Sequence, residues 1–290
     1  MKKLKFGIPK GSLQDATINL FEKSGWKINL NGRSYFPDIN DDTIECTLCR
    51  AQEMSRYVES GTLDAGLTGK DWIEENESDV LVLDDLIYSK ATQNPARWVL
   101  AVPADSKIKN LDDLQGKKIA TELTNFTRKF FKESNIDVEV EFSWGATEAK
   151  AVSGLADAIV EVTETGSTIR AHGLKIISEL MQTNTQLIAN RESYKDPWKK
   201  AKIDQIILLL KGALRAENMV GLKMNLPKNR IEDVISILPS LNFPTISSLY
   251  NLDWISVEVI VEARIVRDLI PRLMNAGAQG IIEYPLNKVI

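Results

Sequence analysis

Residues 156–170, ADAIVEVTETGSTIR, set Glu161, Glu164, a Thr-Gly-Ser-Thr run and an arginine behind an apolar strand. That combination suits a phosphorylated pentose. A 5′-phosphate needs N–H and hydroxyl donors converging where a helix begins. Thr165, Gly166, Ser167 and Thr168 offer them, and the glycine lets the backbone approach closely. Ribose hydroxyls need acceptors, and Glu161 at the end of the preceding strand supplies one. A carboxylate there also stabilises positive charge building on the ring as a leaving group departs from C1′. The same residues equally make an ordinary strand–turn–helix junction with Glu161 and Glu164 in solvent. This stretch alone leaves both readings open.

The surrounding elements determine what the stretch faces. LKFGIP reads as a strand and KGSLQDATINLFEKSGW as a helix, with Ser12 as its N-cap and Gly25 as its stop. TIECTLC follows as a strand, AQEMSRYVESG as a helix closed by Gly61, and LDAGLTGKDWIEEN as strand, glycine turn and helix start. The pattern restarts at RWVLAVPADS. A short helix spans Leu111 to Gly116, and KKIATEL, NFTRKFFKES, VEVEFSW, ATEAKAVSGL and ADAIVEV then alternate between strand and helix. LKIISEL and LIANRESY read as returning to the first unit. This alternation predicts α/β architecture with largely parallel sheets. Two such lobes create a cleft, where ligands usually sit. Lys10 and Gly11 after the first strand, Arg50 at a strand end, and Lys70 and Asp71 after the glycine turn are cleft candidates. Each charged residue among them is equally readable as a solvated surface group.

A long helix from Pro197 to Glu217 carries Ile203, Ile206, Ile207, Leu210 and Leu214 at helical spacing. Beyond it, MVGLKMNL, RIEDVISILPSL, PTISSLY, WISVEVIVE, IVRDLIPRLMNAGA and QGIIEYPL read as β-α-β-β-α-β, the ferredoxin-like order. The expected layout is 1–96 with 179–201 as one lobe and 97–178 as the lobe carrying the Thr-Gly-Ser-Thr loop. Residues 202–217 form a linking helix, and 218–290 form a third domain.

Composition narrows the class. The 290 residues carry a net charge of −4, which offers no clustered basic footprint for nucleic acid. MKKLKFGIPKGS has too few apolar residues for a signal-peptide core, and Ile206 to Leu210 falls far short of a membrane span. Cys46 and Cys49 form a lone C-x-x-C, and the single histidine, His172, is distant in sequence. In an extended segment, residues three apart point to opposite faces, so the pair reads as two reduced thiols, which suits the cytoplasm. His172 reads as a polar neighbour of the site, and the scattered Trp and Phe residues as core.

An acid, three intervening residues and T-G-x-T resemble the phosphoribosyl-diphosphate loop of phosphoribosyltransferases. The longer pattern from Glu148 through Gly154, Ala156, Ile159, Glu161 and TGSTI is similar to the signature of the ATP phosphoribosyltransferase family. GIPKGSL, GTLDAGLTGKDWI and FPTISSL agree in the family's order, so the resemblance covers essentially the whole chain and points to the long, histidine-regulated form. Glu161 stands where the family commonly has Asp, and Ile169 where Leu or Met is usual.

The resemblance implies two periplasmic-binding-protein-like lobes and a ferredoxin-like regulatory domain. The implied reaction is attack of adenine N1 of ATP on C1′ of phosphoribosyl diphosphate, releasing pyrophosphate, with Mg2+ holding the diphosphate. Glu161 then serves the ribose hydroxyls, and Glu164 to Thr168 the 5′-phosphate. Lys10, Gly11, Arg50, Lys70 and Asp71 serve ATP or the diphosphate. Histidine is the implied feedback inhibitor, with Asn225 and Thr245 as its contacts, and the implied assembly is a hexamer. Two other classes compete: a solute-binding protein, suggested by LDDLQGKKIAT, and phosphoribosyl transfer to a free nucleobase. The first has no need of an acid beside a phosphate cradle, and the second no need of a sensor-like third domain.

Overall fold

Strands buried on both faces organise the first part of the chain, as parallel sheets covered by helices require. The computed structural model describes residues 2–30, 32, 34–88, 95–239, 243–251 and 253–290. It opens with β1 (Leu4–Lys10), α1 (Gln14–Ser24), and the short pair β2 (Ile28–Asn29) and β3 (Asp38–Ile39). β4 (Ile44–Arg50), α2 (Ala51–Glu59), β5 (Ala65–Gly69), α3 (Lys70–Asn76) and β6 (Leu81–Leu86) follow. Two expectations change here. α1 begins at Gln14, whose N–H bonds to the Gly11 carbonyl at 3.1 Å, so Ser12 lies in the turn ahead of the helix and is not its cap. Gly69 is extended (φ −74°, ψ 148°), so β5 runs directly into α3 without a glycine turn.

The next segment holds β7 (Ala96–Pro103), β8 (Lys117–Thr121), α4 (Thr124–Glu133), β9 (Val138–Phe142) and α5 (Thr147–Val152). β10 (Ala158–Thr163), α6 (Ser167–Ala171) and β11 (Leu174–Thr183) complete it. The helix expected from Leu111 is a short 3-10 turn, Asp112–Leu114. β12 (Thr185–Ala189), α7 (Arg191–Lys195) and the long α8 (Pro197–Ala216) follow.

Two five-stranded sheets result, ordered β4-β1-β5-β12-β6 and β11-β7-β10-β8-β9. Each is mixed. In the first only β12 runs against the rest, and in the second only β7. These are the strands that have just crossed from the other lobe, so they enter their new sheet from the opposite end. The return crossing falls at Asn184. β11 stays in the second sheet, pairing Thr183 with Ala96, and β12 joins the first, pairing Thr185 with Leu86. LKIISEL therefore belongs to the second lobe, not the first, and the return lies at Asn184, beyond the 178/179 boundary expected from sequence.

Alternation along β7 divides the second lobe's core between its two faces. Trp98, Leu100 and Val102 pack with Leu114, Ile119 and Phe131, while Val99 and Ala101 pack with Ala151, Ile159 and Ile169. In the first lobe, Met54 and Val58 of the amphipathic α2 meet Leu63, Val80 and Ile188.

By internal contacts the chain forms two units, Met1–Phe21 with Trp26–Ile207, and Glu22–Gly25 with Leu208–Ile290. The second contains β13 (Met219–Pro227), α9 (Ile231–Ile235), β14 (Thr245–Ser248), β15 (Trp254–Glu262), α10 (Ala263–Asn275) and β16 (Gln279–Pro285). Its antiparallel sheet, ordered β14-β15-β13-β16, is the ferredoxin-like arrangement. Val257, Val259, Leu222 and Met224 form its core with Val266, Leu269 and Leu273 of α10. α9 is shorter than its sequence pattern, and Ser240 and Leu241 of the expected helix lie outside the described residues.

Candidate active site

Parallel strands from both lobes end at one cleft, the usual place for a ligand in open α/β sheets. Lys10 and Arg50 close β1 and β4 as register partners. On the other side β10 pairs with β8 only as far as Val160, opposite Thr121, and Glu161 is its first residue beyond that partner. β10 then continues to Thr163, so Glu161 lies within the strand and not at its tip. Alternation puts Glu161 on the face of Ile159, which packs against Ala151 of α5 and Ile169 of α6. Lys10, Gly11, Arg50, Asp71, Glu122, Glu161, Glu164, Thr165, Ser167 and Thr168 all line one cavity of about 1340 Å³.

The loop after β10 is held open by its own small residues. Gly166 has φ 73°, a left-handed conformation that glycine adopts without Cβ strain, and it starts α6. A Cβ there would stand 3.0 Å from Arg170 Nη1 and from Ile176 Cδ1. The Gly166 N–H donates to Thr163 Oγ1 (2.8 Å), the Ser167 N–H donates to Thr165 Oγ1 (3.3 Å), and the Thr165 and Ser167 hydroxyls are 2.9 Å apart. Arg170 Nη2 donates to the Thr165 carbonyl at 3.1 Å and braces the loop from behind. These bonds keep the donors in a tight arc.

Burial pushes the Glu161 carboxyl up to about 7, and the charges of Glu148 and Glu122 push the same way, against bonds from the Val162 N–H and Thr147. Glu122, directly after β8, is also raised, mainly by burial, while Gln52 and the Gly145 N–H hold it by hydrogen bonds. The second lobe thus presents carboxylates. The first lobe presents cations, each resting on a ring. Lys10 Nζ lies 4.1 Å from the Tyr35 centroid, and Arg50 Cζ lies 4.8 Å from that of Trp144, which belongs to the opposite lobe and is 64% exposed.

Asp71 is buried, and its carboxylate is already engaged. Trp98 Nε1 donates to Oδ2 at 2.7 Å, the Trp72 N–H donates to Oδ1 at 3.0 Å, and burial raises its pKa. Its own N–H donates to Thr183 Oγ1 at 3.2 Å. Asp71 therefore ties the lobes together at the cleft floor. Lys70 is exposed at the start of α3 and is not among the residues that line the cavity. Gly166 is buried and shapes the loop without lining the cavity. His172 is exposed at the end of α6, with Nδ1 2.8 Å from the Thr168 carbonyl oxygen.

Glu122 and Tyr35 carry no motif that marks them in the sequence, and Trp144, expected in the core with the other Trp and Phe residues, is instead exposed at the cleft. Glu122 stands one residue past the end of β8, much as Arg50 is the last residue of β4, so position alone is the available signal. Cys46 is buried and Cys49 partly so, both thiols being pushed up to about 12, chiefly by burial. In the second unit, Asn225 on β13 pairs with Ser256 and Thr245 on β14 pairs with Glu258, so β15 separates them. Thr245 opens β14, within the stretch PTISSLY that the sequence reads as a strand.

Comparison with known proteins agrees with this geometry. The family model described as ATP phosphoribosyltransferase matches residues 50–212, and the model of its C-terminal domain matches residues 216–288. The chain belongs to the ATP phosphoribosyltransferase family. An ATP phosphoribosyltransferase of Desulfatibacillum aliphaticivorans is 68% identical over 287 residues, covering 99% of this chain and 98% of that protein. One from Desulfosudis oleivorans is 69% identical, covering 99% of each. A solved ATP phosphoribosyl transferase (HisG:HisZ) complex from Thermotoga maritima superposes with a TM-score of 0.61 at 27% identity, covering 71% of this chain and 98% of the other. An ATP phosphoribosyltransferase is a pentosyltransferase that opens histidine biosynthesis, and the C-terminal domain marks the long form of the enzyme.

Proposed function

We propose that phosphoribosyl transfer takes place in this cleft, with Glu161 and the 164–168 loop holding the donor sugar. The observation that carries the reading is one cavity lined by an acid and a hydroxyl-rich loop from one lobe and by Lys10 and Arg50 from the other. Thr165, Ser167 and Thr168 hold the 5′-phosphate around the turn set by Gly166, with Glu164 at its edge. Ionised Glu161 accepts from the ribose hydroxyls and stabilises positive charge on the ring. Lys10, Arg50 and the backbone at Gly11 take the diphosphate or the ATP phosphates. Asp71 acts by fixing the lobes.

Adenine N1 uses its own lone pair to form the bond to C1′, and the C1′–oxygen bond breaks with its electron pair leaving on pyrophosphate. No strong base is needed, so positioning and charge stabilisation dominate. Among the described residues no three His, Cys, Asp or Glu side chains converge at metal-binding spacing. The donors fit Mg2+ in another way, because that ion is commonly held by one or two carboxylates together with substrate phosphates. Glu161 and Glu122, raised in part by neighbouring negative charge, are the carboxylates that would hold it. Bound there, it supplies charge neutralisation of the diphosphate.

The ferredoxin-like domain is the proposed seat of histidine inhibition, with Asn225 and Thr245 as contacts and a hexamer as the responding assembly. Histidine must bind one state better than another to act at a distance. A cytoplasmic setting accords with the free thiols. Among the described residues no helix is long and apolar enough to cross a membrane.

The test combines the purified protein with ATP, phosphoribosyl diphosphate, Mg2+ and a pyrophosphatase, and follows absorbance of the adduct with and without histidine. Turnover suppressed by histidine is expected. No adduct overturns the cleft reading, and full turnover in Glu161→Ala with Thr165→Ala overturns the site assignment.

A further inference from the structure

Helix α3 of the first lobe carries two carboxylates one turn apart, and both grip the second lobe. Asp71 accepts from Trp98, as described. Glu75, 7% exposed, reaches the first turn of α4. The Asn125 N–H donates to its Oε1 and Oε2 at 3.1 and 2.9 Å, and the Phe126 N–H donates to Oε2 at 3.0 Å. Thr124 Oγ1 donates to Oε1 at 3.2 Å, and Asn125 Nδ2 donates to the Glu75 carbonyl at 3.1 Å.

The N-cap position of α4 is Leu123, whose side chain accepts nothing. The exposed donors of a helix's first turn need a partner, and an anion there also suits the helix dipole. α4 therefore takes its cap from the other lobe. Glu122 stands two residues before Thr124, in the turn joining β8 to α4, and it lines the cavity. Leu123 N–H, bonded to Thr121 Oγ1 at 3.1 Å, ties the same turn to its strand. Glu75 itself does not line the cavity. On the same helix Trp72 meets Trp98 of the second lobe edge to face, with centroids 6.3 Å apart.

We propose that Glu75 is a positioning residue for phosphoribosyl transfer: by capping α4 from the opposite lobe, it fixes the turn that carries Glu122 and sets the spacing between the two walls of the cleft. Without the cap, the amino end of α4 loses its charged acceptor and Glu122 loses its fixed distance from Glu161 and Arg50. Displacements of about 1 Å in such a constellation can cost on the order of a hundredfold in rate. The inference rests on the cleft being the catalytic site.

The test is steady-state kinetics of Glu75→Ala and Glu75→Gln in the full chain, with the folded fraction measured by circular dichroism and urea titration. Glu75→Ala is expected to raise KM for phosphoribosyl diphosphate about tenfold and to lower kcat per folded molecule, with a total loss of about a hundredfold in kcat/KM. Glu75→Gln keeps one carbonyl acceptor and should recover part of that loss. A kcat that merely follows the folded fraction, with both KM values unchanged, makes Glu75 structural and overturns the proposal. If Glu75→Ala does not fold, Glu75→Gln decides: a raised KM supports positioning, and wild-type KM and kcat overturn it. Glu161→Ala run alongside separates the two readings, because undiminished turnover there removes the cleft assignment itself.

Discussion

Lys10 and Arg50 are paired across one rung of β1 and β4, two cations at the ends of adjacent parallel strands. Like charges so placed repel each other, and in the proposed site a bridging diphosphate would relieve that repulsion. The aromatic rings under each cation, Tyr35 and Trp144, hold both in place before any anion arrives.

Arg50→Lys is therefore not a conservative change. Lysine keeps the charge but lacks the planar fork that binds phosphate bidentately and stacks on Trp144. KM for the diphosphate substrate is expected to rise about tenfold, equivalent to about 1.4 kcal/mol, with kcat less affected. Arg50→Ala should do worse, and the difference should shrink at high salt. Initial rates over a range of ionic strength measure both effects.

Activity should fall on the acid side through Glu161. Its carboxyl is raised to about 7, and in the proposed site the ionised form is the one that would accept from ribose hydroxyls. In the free enzyme, kcat/KM should decline about tenfold per pH unit below that value. Glu161→Gln should lose this limb together with about a hundredfold or more in rate.

Stability responds with the opposite sign. The folded pKa of Glu161 lies above its ordinary value of 4.5, so the fold favours the protonated form. That contribution is complete below pH 4.5 and is lost as pH rises through 7. Glu161→Gln should thus be more stable than wild type at pH 8, by about 2 kcal/mol once partial exposure is allowed for, and no more stable at pH 4. Urea titrations at the two pH values give the comparison.

Gly166→Ala tests the loop. The φ of 73° strains any residue with a Cβ, and the 3.0 Å approaches mean that Arg170 and Ile176 must give by a few tenths of an ångström to admit a methyl group. A cost of about 1–3 kcal/mol is expected, from backbone strain and displacement of Ile176. KM for phosphoribosyl diphosphate should rise with it. A thermal melt and a substrate titration on one preparation check both.

The thiols should be inert in the native protein. Both are pushed up to about 12, so little thiolate exists at pH 8. Iodoacetamide should label neither Cys46 nor Cys49 appreciably over minutes and should label both once urea is added. Mass spectrometry counts the adducts.

What was legible in the sequence was local. A carboxylate, a glycine and three hydroxyls in one loop need no distant partner to be recognised, and Lys10 and Arg50 sit where strand periodicity gives way to helix. The misread features depend on pairings across long separations. Nothing in Thr183-Asn184-Thr185 signals a change of sheet, since no glycine or proline interrupts two apolar strands. Asp71 reads as a free carboxylate until Trp98 is placed against it. Glu75 reads as one of several acidic helix residues until α4 arrives from 49 positions later, with Thr124 at its first turn.

The placement of β12 also orders events during synthesis. It lies between β5 and β6, so β6 has no sheet partner until residues 185–189 exist. The second lobe, by contrast, draws its whole sheet from the continuous stretch 96–183. As the chain emerges from the ribosome, that lobe can close first, while the amino-terminal strands wait with an open edge for the segment that completes them.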